Sequence, residues 1–119
     1  MKKTVVIGAS ENPERYAYRA VASLVNHGQE VVAVGLKDGK ILNIPITSEK
    51  KFIPDVDTVT MYVGAKNQAA WYDYILSLKP KRIIFNPGAE NDELAKLATK
   101  NGIEVVEACT LVMLSIGNY

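Results

Sequence analysis

The sequence predicts an α/β domain, a mostly parallel sheet with helices packed on both faces. Three observations predict it. Apolar runs of strand length alternate with segments of helical period along the 119 residues, which is the pattern of successive βα units. The first run, Thr4-Val5-Val6-Ile7, is β-branched throughout and has no polar alternation, as a strand covered on both faces requires. The breaks between runs carry Gly, Pro and Asn, as in residues 8–13 and in Asn86-Pro87-Gly88. Such residues punctuate regular structure rather than continue it.

Residues 4–7 form the first strand and 8–13 a turn. Ala17, Ala20, Val21, Leu24 and Val25 then recur at i, i+3, i+4, i+7 and i+8, a helix with one apolar side. His27-Gly28 ends it, Gly28 being free to turn left-handed. Residues 30–34 are the second strand. Residues 37–57 show no helical period: Asp38-Gly39 signals a turn, and Pro45 and Pro54 interrupt the rest. The crossover helix is missing or reduced here, and a structureless connection of this length is uncommon inside a domain. Residues 58–63 are the third strand. A helix over 65–78 faces inward with Trp71, Tyr74, Ile75 and Leu78 and stops at Pro80, which cannot continue it. Residues 82–85 are the fourth strand. A helix over 91–100 carries Leu94, Leu97 and Ala98, 103–106 are the fifth strand, and 111–116 form a short helix that packs on the sheet. Five strands with right-handed crossovers are expected in the order 3-2-1-4-5. In that single Rossmann-like domain, residues 1–119, ligands bind between the carboxyl ends of the first and fourth strands.

Composition narrows the function. The net charge is +1, from 14 basic and 13 acidic residues, which leaves no footprint for nucleic acid or an anionic membrane. The N-terminal apolar run is too short for a signal peptide or a membrane span. Cys109 is the single cysteine, so no internal disulfide forms and a reducing, cytoplasmic setting is expected. His27 is the single histidine and has no second ligand or triad partner, so it reads as structural. Neither a metal centre nor a catalytic set is expected.

The chemistry concentrates in Gly8-Ala9-Ser10-Glu11-Asn12-Pro13-Glu14-Arg15. A phosphate needs backbone N–H donors aimed at it and a chain that can come close. Gly8, Ala9 and Ser10 are small, and the helix behind them offers free N–H groups and a positive dipole end. Ser10 adds a hydroxyl and Arg15 a guanidinium suited to bidentate contact. The competing reading is a plain helix start with Asn12 as N-cap and Pro13 at the first helical position. The dinucleotide fingerprint is not met, because Ser10 and Pro13 stand where it requires glycines. Val34-Gly35-Leu36-Lys37 replaces the ribose-binding acid expected after the second strand. Lys37 would attract a phosphorylated ribose and reads equally as a surface lysine. Pro87-Gly88-Ala89 follows the fourth strand and faces the same crevice, either as a second ligand turn or as a helix start capped by Asn91. Trp71, Tyr72 and Tyr74 read as helix packing in preference to a stacking platform. Cys109 reads as a small buried hydrophobe, or as a thiol placed to meet a ligand thiol.

The sequence resembles the small CoA-binding domain family, stand-alone relatives of the CoA-binding domain of succinyl-CoA synthetase α subunits and ADP-forming acyl-CoA synthetases. Val5-Val6-Ile7-Gly8-Ala9-Ser10 with Pro13 and Arg15, Ile53-Pro54 with Val56-Asp57, the turn with Gly88, and Val105-Val106 before Cys109 carry the resemblance. It implies a Rossmann-like fold holding coenzyme A, with Gly8, Ala9, Ser10 and Arg15 at the phosphates, Lys37 near the adenosine end and Gly88 beside the chain leading to the thiol. Two stretches depart from the family pattern. Val34-Gly35-Leu36 stands for the usual Val-Asn-Pro, and Phe85-Asn86-Pro87-Gly88 for a Trp-x-x-Gly-like turn. The expectation is a module that binds coenzyme A or an acyl-CoA without catalysis of its own. The rivals are an NADP-type or other nucleotide-binding oxidoreductase or sensor, and a ligand-free scaffold acting through a protein partner or a homo-oligomer.

Overall fold

The computed structural model describes residues 1–119. Strand β1 (Lys3–Ile7) leads through the first turn to α1 (Tyr16–Asn26) and then β2 (Glu30–Val34). A hairpin of β3 (Gly39–Ile41) and β4 (Ile44–Thr47) follows. The chain continues through β5 (Thr58–Met61), α2 (Tyr72–Leu78), β6 (Arg82–Phe85), α3 (Asp92–Lys100), β7 (Glu104–Glu107) and α4 (Thr110–Ile116). No helix is long and apolar enough to cross a membrane.

The sheet corrects the expected topology twice. It has seven strands, not five, and their order is β3-β4-β2-β1-β5-β6-β7. Every neighbouring pair is parallel except β3 with β4. The stretch read as structureless supplies the extra pair. Within it, β4 takes the place beside β2, with Ala33 opposite Ile46 and Val34 opposite Thr47. The strand expected third is therefore β5, and it lies on the other side of β1, with Thr4 opposite Thr58 and Ile7 opposite Met61. Chain direction across the sheet consequently reverses between β1 and β5, so the crevice opens there and the turn after β6 lies one strand further out.

Two apolar layers sandwich the sheet. On one face, Val6 and Ala33 pack with Val21 and Leu24 of α1 and Leu114 of α4. On the other, Val5, Ile7, Val59 and Ile83 pack with Trp71, Ile75 and Leu78 from the α2 region and Leu94 and Ala98 of α3. The inward residues expected for these helices are buried, apart from the half-buried Val25 and Leu97. The helix expected over 65–78 is shorter. Two 3₁₀ turns, Ala65–Asn67 and Ala69–Trp71, precede α2. The C-terminal residues return to the amino edge of the sheet. There the Tyr119 ring lies 4.5 Å from the Arg82 guanidinium.

Candidate functional site

The first turn is built by close approach. Gly8 adopts φ 96°, and a Cβ there would stand 2.8 Å from the Tyr62 carbonyl oxygen. A Cβ on Gly35 would stand 2.3 Å from the Ala9 carbonyl oxygen. Both positions therefore require glycine. The N–H groups of Gly8 and Ala9 donate to the same acceptor, the Val34 carbonyl, at 2.9 and 3.0 Å. These two donors are committed inside the protein.

The open donors lie further along. The Ser10 side-chain oxygen accepts from the Asn12 N–H at 3.1 Å, which leaves its own proton free. Asn12 accepts from the Glu14 N–H through its side chain and from the Arg15 N–H through its carbonyl, both at 3.0 Å. Residues 12–15 thus make a turn ahead of α1. Asn12 is not the N-cap and Pro13 is not in the helix; Arg15 holds the cap position. No side chain caps α1 and no acid lies in its first turn. Its first N–H groups are therefore available to an anion. The start of α3, at the same edge, is the opposite case. The Asn91 side chain caps α3, accepting from Glu93 N–H at 3.0 Å and Leu94 N–H at 3.3 Å, and Asp92 and Glu93 occupy its first turn.

A cleft of about 1020 Å³ runs along the carboxyl ends of β2, β1, β5 and β6. Of the residues singled out from the sequence, Gly8, Ala9, Ser10, Asn12, Arg15, Lys37, Pro87, Gly88 and Ala89 line it. Pro13 does not. The rim also carries Glu11, Glu14 and Asp38. The Glu11 carboxylate accepts from the Lys40 N–H at 3.0 Å, tying the first turn to the hairpin. Asp38 accepts from both the N–H and hydroxyl of Ser48, and the Ser48 backbone donor chiefly holds its carboxyl below the usual range. With three acids beside Arg15 and Lys37, the cleft offers directed donors rather than a broad positive field.

Sequence reading missed Met61, Tyr62, Val63 and Asn67, which also line the cleft, and favoured packing over a stacking role for Trp71, which lines it too. They lie at the end of β5, just after it and in the 3₁₀ segment, which the expected strand order placed away from β1. Only the correct neighbour of β1 would have brought them in. Trp71 is both buried in the core and part of the cleft wall. Tyr72 and Tyr74 pack as expected, and the Tyr74 hydroxyl donates to the Lys51 carbonyl. The half-buried Cys109 holds the N-cap position of α4 and does not line the cleft. His27 is exposed and pairs with the Ser23 carbonyl. No three His, Cys, Asp or Glu side chains converge to hold a metal.

Residues 2–115 match the family described as CoA binding domain. The chain belongs to that family. A crystal structure of an uncharacterized protein is similar to this CoA binding domain at 53% identity and TM-score 0.97, covering 100% of this chain and 98% of that one. A hypothetical protein from Pyrococcus horikoshii OT3 is 26% identical with TM-score 0.87, covering 97% of this chain and 82% of that one. The dinucleotide forming acetyl-coenzyme A synthetase 1 of Ca. Korarchaeum cryptofilum, in complex with phosphate and ADP, shares the fold at 17% identity and TM-score 0.75. That match covers 90% of this CoA binding domain and 25% of the synthetase chain. No curated protein matches significantly. At Gly35, one of the two departures from the family pattern, the Ala9 carbonyl occupies the space a side chain would need.

Proposed function

We propose that residues 1–119 bind coenzyme A or an acyl-CoA in this cleft, as a cytoplasmic module without catalysis of its own. The observation that carries the reading is the uncapped, acid-free start of α1 opening into the cleft of a CoA binding domain. The pyrophosphate meets the first N–H groups of α1, the Ser10 hydroxyl and the Arg15 guanidinium. Gly8 and Ala9 serve by shape, bringing the chain close without donating. Lys37, after β2, faces the phosphorylated ribose. The arm that ends in the thiol crosses β5 toward Pro87, Gly88 and Ala89. The capped, acidic start of α3 suits this uncharged part of the ligand and would repel a second phosphate group.

Thermal unfolding with CoA, acetyl-CoA, NADP, NAD and ATP in parallel tests the proposal. A ligand at about 100 times its dissociation constant stabilises by about 2.7 kcal/mol, which is several degrees for a domain of this size. A shift with CoA and none with the dinucleotides is expected. A shift with NADP alone would transfer the cleft to the oxidoreductase or sensor reading. No shift with any of them would leave a scaffold for a protein partner.

A further inference from the structure

Gln68 is fully buried between the two walls that flank the far part of the cleft. Its side-chain nitrogen donates to the Val63 carbonyl and to the Ala89 carbonyl, each at 2.7 Å. Val63 follows β5, Ala89 follows β6, and both line the cleft. Its side-chain oxygen accepts from Asn91 Nδ2 at 2.9 Å, and the same nitrogen of Asn91 also donates to the Tyr72 hydroxyl. Both amide protons and the oxygen of Gln68 are thus in use. The interrupted helix explains how the side chain gets there. Gln68 sits between the two 3₁₀ turns, accepting from the Trp71 N–H at 2.8 Å and donating its own N–H to Ala65 at 3.2 Å. It reaches across from one wall to the other beyond the last β5–β6 pair, Met61 with Phe85, where Asn86 also bonds to the Met61 carbonyl.

We infer that Gln68 is a positioning residue: it sets the spacing between the Val63 and Ala89 walls and so governs recognition of the uncharged arm of the ligand, not of its nucleotide head. The inference rests on the proposed CoA reading for its ligand. The head meets the start of α1 and Lys37 after β2, to which Gln68 makes no hydrogen bond. Removing the amide leaves the buried Ala89 carbonyl and the part-buried Val63 carbonyl without this donor, and the walls move apart or admit water to satisfy them.

The test compares CoA with adenosine 3′,5′-bisphosphate, its nucleotide half, by calorimetry on the wild type and on Gln68→Met, which keeps the length and removes the donors. CoA affinity is expected to fall by about tenfold while the bisphosphate stays within about twofold. Equal losses for both ligands, or none for either, would overturn the inference. Where Gln68→Met does not fold, Asn91→Ser keeps a capping oxygen for α3 and frees the Gln68 oxygen and the Tyr72 hydroxyl while leaving both Gln68 donor bonds in place; it should show the same split, smaller. Hydrogen exchange of the unliganded variants reads the staple without any ligand. Faster exchange at both 63–65 and 88–90, with 8–10 unchanged, is expected, and unchanged walls would sink the idea. A wild type that binds no CoA would instead remove the functional proposal and leave the exchange result to decide the role of Gln68.

Discussion

Gly35 and Ala9 touch so closely that no side chain fits between them: a Cβ on Gly35 would lie 2.3 Å from the Ala9 carbonyl oxygen. The end of β2 thereby fixes the turn that follows β1. Gly35→Ala is expected to displace that turn and to cost about 1–3 kcal/mol of stability, as overpacking does. Urea unfolding measures the loss, and CoA affinity should fall with it. An unchanged midpoint would show that the turn can yield freely.

In the proposed complex, Arg15 and Lys37 divide the ligand between them. Arg15→Ala should weaken both CoA and dephospho-CoA by about 1.5–3 kcal/mol, the range for a hydrogen bond to a charged group. Lys37→Ala should weaken CoA and leave dephospho-CoA unchanged, because only CoA carries the ribose phosphate. Calorimetry with the two ligands separates the roles. Equal losses for both ligands in Lys37→Ala would move Lys37 away from the ribose.

The Tyr62 hydroxyl is buried without a hydrogen bond. It lies beside Thr60 and Thr110, whose hydroxyls pair with each other at 2.8 Å. Tyr62→Phe is therefore expected to raise stability by about 1 kcal/mol at neutral pH, since it removes a group that lost water and gained nothing. Burial, aided by the nearby Cys109, pushes this phenol up from its ordinary range, and burial pushes up Tyr119 as well. For groups whose folded pKa exceeds the unfolded one, the contribution is whole below about pH 10 and is lost as pH rises through the folded value. Wild-type stability should thus decline on the alkaline side, and less steeply in Tyr62→Phe. Parallel slopes would contradict the assignment.

Leu42 adopts φ 54° in the two-residue turn between β3 and β4. A branched aliphatic residue is strained there, whereas Asn enters the left-handed region more readily. Leu42→Asn is expected to stabilise the domain by about 0.5–1 kcal/mol, read as a higher unfolding midpoint.

The same turn shows why part of the fold was hidden in the sequence. Hairpins usually announce themselves by Gly or Asn-Gly at the bend, and here Leu42-Asn43 makes it while Asp38-Gly39, the stronger signal, only leads into β3, whose first residue is Gly39. Pro45 argued against a strand. It is tolerated because it lies just before Ile46 and Thr47, the residues of β4 that pair with β2. The long apolar runs of β1, β2 and β6 were legible because burial on both faces leaves an unmixed signature. Missing β4 shifted the strand order, and with it went Tyr62, Val63 and Trp71 of the cleft. The first turn was legible as a place, since its small residues and Arg15 are written locally. Its donor pattern was not, because it depends on the Val34 carbonyl from another strand.

That shared acceptor has a thermodynamic consequence. Two N–H groups held by one carbonyl, with Gly35 pressed against the turn from behind, keep its backbone in a single conformation before any ligand arrives. The ordering entropy that a mobile phosphate loop would surrender on association has already been spent during folding. Association at this turn should then resemble docking onto a rigid surface, with little backbone rearrangement between free and bound forms.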